Sequence, residues 1–248
     1  MIQEAELRAT PRAATHFRVG GPPRPALWRG NADDALGGST SALREQLQPY
    51  LATLLHAAAE HGAPVLRPLR YHFPDDPATY ALDHQALIGA WLLAAPNDSH
   101  CVYIPAGRWY DWWSGAPFEG PARFLPPAQP SQPPLYARAG AIIPSRPAQG
   151  QPLRLDIFAG DGALTLCDDT GGIADELCVR QRIGGGLLRL HIGTRAGRQP
   201  VHLRVHGVAP EAAQTFAGAH YNAGRRALAI TLDAAGPACQ LVFALEQA

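Results

Sequence analysis

The chain has 248 residues, room for one large domain or two to three small ones, and its 46% hydrophobic fraction is enough to bury a core. Only 17% of residues are charged and the net charge is zero, which argues against a nucleic-acid or anionic-membrane partner, since either calls for a basic surplus. Gly (25) and Pro (24) are abundant, which points to many turns and few long helices.

Residues 1–38 are Pro- and Gly-rich and irregular. A long helix follows, from about Ser41 to His61, because Leu43, Leu47, Leu51, Leu54, Leu55 and Ala58 recur at the spacing of one helical face. Thr40 or Ser41 is placed to cap it, Gly62 to end it in the left-handed conformation, and Pro49 to kink it by withholding an N–H from the ladder. Ala63–Leu69 reads as a short buried strand, and residues 77–88 as a second, shorter helix. From Trp91 onward short apolar strands alternate with turns: Trp91–Ala95, Cys101–Ile104, Leu135–Arg138 and Ala141–Ile143, with a stiff Pro-rich loop over Leu125–Pro134.

Residues 151–248 read as a second all-β unit with strands at Leu153–Phe158, Ala163–Cys167, Leu177–Arg182, Leu187–Ile192, Val201–Val205, Ala227–Leu232 and Cys239–Phe243. Leu188, Leu190 and Ile192 alternate with Arg189 and His191, and Val201, Leu203 and Val205 with His202 and Arg204. Short strands about ten residues apart indicate a β-sandwich.

The chemical motifs are sparse. Cys101, Cys167, Cys178 and Cys239 are scattered without a CxxC pair, so neither a zinc site nor a disulfide framework is expected, and a reducing, cytoplasmic setting is. The N-terminus lacks the apolar run of a signal peptide, and Leu87–Pro96 is about half the ~20 residues of a membrane span. His202 and His206 form an HxxxH, but on a strand they lie roughly 13 Å apart, so both are expected on a solvent face and not around one metal. Gly184-Gly185-Gly186 fits a hairpin turn better than a phosphate loop. The carboxylate pairs Asp33-Asp34, Asp75-Asp76 and Asp168-Asp169 have the default role of capping turns. The eight residues from Arg108 to Gly115, RWYDWWSG, gather three of the five Trp, either as a stacking platform for a sugar or as a buried packing knot.

An ordered series of motifs resembles the end of glycoside hydrolase family 31, the α-glucosidase and α-xylosidase family. Leu43–Leu55 resembles a helix reading LRY-x-LLPYLYTL; Gly62–Leu69 resembles G-x-PVMRPL; Phe73–Asp76 resembles FPxD. Leu87–Pro96 resembles FLLGxxLLVAPV, Val102–Asp111 resembles VYLPxGxWYD, and Leu135–Pro144 resembles PLFVRAGSIIP. Asp168-Asp169 echoes the family's DDG more faintly. The resemblance implies a mainly β fold: two C-terminal β-sandwich domains preceded by the last helix and strand of an incomplete (β/α)8 barrel. It divides the chain into a barrel end at 1–90, a proximal sandwich at 91–150 and a distal sandwich at 151–248. It also implies that the aromatic knot packs structurally on a hairpin.

In that family the catalytic aspartates lie on earlier barrel strands, and their WxDMNE motif is absent from this sequence. Thr15–Gly20 resembles the FFRNH stretch whose His contacts the sugar, but Gly20 stands at the His position, and Ala26-Leu27-Trp28 stands where EPW is expected. Arg18 is the one substrate-pocket position carried over; no catalytic, metal or cofactor residue is. The implied function is the C-terminal portion of a family 31 hydrolase, inactive as an isolated chain. The alternatives are a non-catalytic carbohydrate-binding β-sandwich, or an assembly subunit that completes a barrel with another chain. An α-glucoside is the implied partner of the parent family.

Overall fold

Pro49 has no N–H for a helical ladder, and the long N-terminal helix is accordingly two: α1 (Gly37–Gln46) and α2 (Gln48–His61), meeting at Leu47. This computed structural model describes residues 37–95, 101–127, 132–148, 150–166, 177–193, 195–196, 200–233 and 235–246. The helix starts upstream of the cap expected at Thr40 or Ser41, and ends as expected: Gly62 adopts φ 70° and its N–H reaches the Ala58 carbonyl. Leu43, Leu47 and Tyr50 form the buried face, while Leu55 is left exposed. The Tyr50 hydroxyl donates to the Ile88 carbonyl at 2.9 Å, which fixes the helix against the first sheet.

That sheet contains β1 (Leu66–Pro68), β2 (Ala86–Ile88), β3 (Leu92–Ala94), β4 (Val102–Asp111), β5 (Pro117–Phe124) and β6 (Leu135–Arg138), in the order β1-β2-β3-β6-β4-β5. It crosses position 90, so the expected barrel end and the proximal sandwich share one hydrogen-bonded layer. The second helix expected at 77–88 is not formed. A one-turn helix α3 (Leu69–His72) is followed by a 3-10 turn at Pro77–Thr79, capped by Asp76, and then by β2. Asp76-Pro77 supplies a good helix start, but Leu87 and Ile88 bury on opposite faces of the sheet, which only a strand permits.

A second sheet, ordered β14-β15-β13-β8-β7, is made of β7 (Ile142–Ser145), β8 (Arg154–Phe158), β13 (Val201–His206), β14 (His220–Asn222) and β15 (Ala227–Leu232). Within it β8 and β13 run parallel. A third, ordered β17-β11-β10-β9, contains β9 (Gly162–Leu166), β10 (Leu177–Gly184), β11 (Leu187–Ile192) and β17 (Cys239–Ala244). β12 (Arg195–Ala196) and β16 (Ala235–Gly236) form a small ribbon. The turn at Gly185-Gly186 has φ 62° and 73°, the mirror-image hairpin that its two glycines allow.

The second and third sheets enclose a core of Leu155, Ile157, Val179, Leu190, Leu203 and Phe243, the sandwich expected for the C-terminal half. The other face of the second sheet turns towards the first: Ile143 and Phe158 join Leu47, Tyr110, Trp112 and Leu135 in one cluster. The mainly β, sandwich-built architecture expected from the sequence is therefore present. One consequence was not expected: the middle sheet is covered on both faces.

Candidate functional site

The aromatic stretch is organised by Asp111. Its Oδ1 accepts from the Trp113 N–H (3.1 Å), the Ser114 N–H (2.7 Å) and the Ser114 hydroxyl (2.7 Å), closing the turn after β4. On the strand, alternation sends Trp109 to one face of the first sheet, where it is fully buried beside Phe73 and its indole N–H meets the Pro105 carbonyl at 2.9 Å. Tyr110 and Trp112 go to the other side and pack on Phe158 at ring-centre distances of 5.5 and 5.9 Å. Trp113 is half-buried and donates to the Pro133 carbonyl at 2.8 Å. Stacking on a sugar needs an open ring face, and Trp109, Tyr110 and Trp112 offer none. Tyr110 and Trp112 join the first sheet to the second, and Trp109 packs on the opposite face of the first.

Gly115, at φ 71°, completes the junction. A Cβ there would lie 2.1 Å from the Arg225 carbonyl oxygen and 2.6 Å from Nδ1 of His206. The close approach places a polar seam directly behind the aromatic turn. His206 stacks flat on Phe158, with 4.4 Å between ring centres and 6° between planes. Asp156, fully buried, forms ion pairs with Arg204 and Arg154, and its Oδ2 accepts from the Ser145 hydroxyl at 3.0 Å. The register explains the meeting. Parallel pairing sets Arg204 opposite Asp156 and His202 opposite Arg154, and antiparallel pairing sets Ser145 opposite Arg154.

The solvent-face assignment is corrected for His206. His206 has 0% exposure and Arg204 has 9%, because a parallel-paired central strand is covered on both sides. His202 is half-buried, with Nδ1 3.1 Å from the Thr231 hydroxyl. Among the described residues no cluster of three His, Cys, Asp or Glu side chains is placed to hold a metal ion.

Burial alone would raise the Asp156 carboxyl, but Arg204, Arg154, His206 and the Ser145 hydroxyl together hold it below the ordinary carboxylate value. His206 is pushed from 6.5 down to about 3, by burial first and by Arg204 and Arg225 against the opposing pull of Asp156. Between those two values the unfolded chain binds a proton that the folded chain refuses, so stability falls as pH falls, by about 1.4 kcal/mol per pH unit for one such group. Burial, Arg67 and Arg138 also lower His72, which adds in the same direction. Urea midpoints should therefore drop steadily between about pH 6.5 and about pH 4.5. His206→Gln should make that slope shallower; an unaltered slope would assign the acid sensitivity to other groups.

The remaining sequence candidates fall into two groups. Arg18, Gly20, Ala26-Leu27-Trp28, Asp33-Asp34 and Asp168-Asp169 lie outside the described residues. Asp75-Asp76 is a turn pair: Asp76 Oδ1 accepts from the Ala78 N–H at 3.1 Å, and Oδ2 accepts from the Tyr103 hydroxyl at 2.5 Å. Burial first, and this bond second, push Tyr103 up to about 12. The sequence reading missed Asp156, Arg154, Arg204 and Ser145. Their one visible signal is a charged residue inside an apolar strand, as in Leu155-Asp156-Ile157 and Leu203-Arg204-Val205.

Residues 62–143 match the profile of the Glycosyl hydrolase family 31 C-terminal domain. The chain is a C-terminal part of family 31. "Alpha-glucosidase 2" of Bacillus thermoamyloliquefaciens is 32% identical over 175 residues, covering 65% of this chain and 22% of the relative. An "Alpha-glucosidase" of Saccharolobus solfataricus is 37% identical over 106 residues, covering 41% of this chain and 15% of the relative. This family 31 segment thus spans about a fifth or less of the length of these relatives. Among solved structures, a family 31 dextranase of Flavobacterium johnsoniae in complex with isomaltotriose superposes with a TM-score of 0.71 at 20% identity, over 89% of this chain and 34% of that one. The cycloalternan-forming enzyme of Listeria monocytogenes superposes with a TM-score of 0.73 at 20% identity, over 84% of this chain and 23% of that one. At that identity the structural likeness speaks for the fold.

Proposed function

We propose that this chain is the C-terminal β-sandwich portion of an α-glucosidase-like hydrolase and does not cleave glycosides by itself. The observation that carries the reading is the ordered motif series: its first motif forms α1 and α2, and the later ones, from Gly62 onward, supply strands of the first two sheets and coincide with the match at residues 62–143. Glycoside cleavage by the usual route needs two carboxyl groups, one to protonate the leaving oxygen and one to serve as nucleophile or base. The sequence holds no counterpart of the family's WxDMNE motif. In this reading the chain contributes a rigid support: α2 lies against β7 of the second sheet and β9 of the third and is tied to the first sheet through Tyr50, and the aromatic turn ties the first sheet to the sandwich beyond it.

The same reading gives a place for a partner polypeptide that supplies the rest of a barrel. Leu55, Tyr71, Tyr80 and Leu125 are exposed at 38%, 53%, 52% and 60%. Large apolar side chains left in water, three of them on the barrel-end elements, suit a surface that another segment covers. The purified chain should release no 4-nitrophenol from 4-nitrophenyl α-glucoside above the buffer rate. Measurable turnover that co-purifies with the chain and survives mock purification controls would overturn the proposal.

A further inference from the structure

We propose that the groove beside the polar seam of the second sheet binds a phosphate-type oxyanion. The inference is independent of the glycosidase reading, because it rests on β8, β13 and the turn after β14 and on no sugar-cleaving group.

The groove has a volume of about 360 Å³, within the usual range for small-ligand sites, and Arg154, Arg204, Arg225, His202, His220 and Asn222 contribute to its walls. Three arginines thus line the groove, and among the described residues on its wall there is no acid; the carboxylate of Asp156 lies behind two of them. That carboxylate is already engaged. Its Oδ1 meets Nε of Arg204, and its Oδ2 meets Nε of Arg154 at 3.2 Å and the Ser145 hydroxyl at 3.0 Å. The surplus positive charge is held in a recess, where low-dielectric walls concentrate the field on an anion.

The second, independent observation is Arg204 itself. Its side chain is 11% exposed, and its Nη2 is buried with no hydrogen-bond partner among the described residues. A guanidinium nitrogen taken out of water and left unpaired is costly, and such a donor is completed by a water, an ion or a ligand. The planar fork of Arg matches the oxygen spacing of a phosphate, and its bonds to an oxyanion are about twice as strong as neutral ones. The backbone around the site is fixed: Asn222 Oδ1 accepts from the Arg225 N–H at 3.1 Å, and Asp156 orients the other two arginines.

The test is calorimetric titration of the full chain with inorganic phosphate, glucose 6-phosphate and glucose. Both phosphates should bind at one site per chain, and glucose should not. Tighter binding of glucose 6-phosphate identifies a phosphorylated sugar as the ligand; equal affinities identify phosphate alone. Arg225→Ala should weaken phosphate roughly tenfold, the loss of one good charge-assisted contact. If that variant melts without a cooperative transition, Arg225→Lys, which keeps the charge and loses the fork, should weaken binding roughly threefold. Absence of phosphate binding, equal binding of glucose and glucose 6-phosphate, or full affinity in a folded Arg225 variant overturns the proposal.

Discussion

Asp156→Ala should destabilise the chain by about 3–5 kcal/mol, a large share of the roughly 5–15 kcal/mol that holds a domain together. The carboxylate has no exposure, and it is the one acid between Arg204 and Arg154. Removing it leaves two like charges facing each other in a place that water reaches poorly, and takes the acceptor from the Ser145 O–H, whose oxygen keeps only the bond from Arg154 Nε. The loss is thus the cost of two orphaned cations more than the worth of the pair, since burial offsets most of what an ion pair gains. Replacing both partners separates the two. Asp156→Leu combined with Arg204→Met should recover part of the lost stability, because only Arg154, the more exposed of the two arginines, is then left without its carboxylate. Urea denaturation near neutral pH, with midpoint and slope both recorded, checks each variant. A loss below about 1 kcal/mol for the single substitution would show that the seam contributes little.

The same carboxylate has its own pH window. Its folded value lies below the ordinary 3.8, so its stabilisation is complete above that value and disappears as pH falls through the lower folded one. The His206 contribution starts to fade already below 6.5. Acid should therefore weaken the fold in two stages, the imidazole first and the carboxylate second.

What the sequence disclosed, and what it hid, follows from which interactions are local. The helix ending at Gly62, the break near Pro49 and the Gly185-Gly186 hairpin are properties of a few neighbouring residues, and each was legible. β5 was not, because Gly120, Pro117 and Pro121 suppress a strand pattern that pairing with β4 nevertheless enforces. Residues 77–88 carried a sound helix start at Asp76-Pro77, and only the two-sided burial of Leu87 and Ile88 decided against it. His206 was the clearest failure. Strict alternation along Val201–His206 signals one wet face when a strand belongs to a two-layer sandwich, yet here the first sheet supplies a third layer. Asp156 and Arg204 are 48 positions apart, and no periodicity announces a parallel register between two strands. The aromatic stretch stood between the two: its packing role was inferred from resemblance, while the identity of what it packs against came only from the fold.

Trp112→Ala should cost about 3–5 kcal/mol, the range for emptying a large aromatic from a closed core. The ring is 1% exposed, touches Phe158 at 5.9 Å between centres, and lies 6.0 Å from the Arg204 guanidinium. Its loss would open a cavity at the one place where the first sheet, the second sheet and the polar seam meet, and would remove a cation–π partner from a guanidinium that already has an unpaired nitrogen. Trp113→Ala is the matched control: one residue along, half-buried, held by a single bond to the Pro133 carbonyl, and expected to lose less than half as much. The decisive readout is cooperativity. With Trp112 in place, fluorescence from the first sheet and amide exchange in the third should report one transition; without it, the two should separate, since the clamp between the layers is gone. A Trp112→Ala protein that melts normally but no longer shows a maltose-induced fluorescence change, where the unaltered chain does, would reverse the assignment and make the ring a sugar platform. The closed environment of the indole predicts the opposite: no maltose response in either protein, and a split transition in the variant.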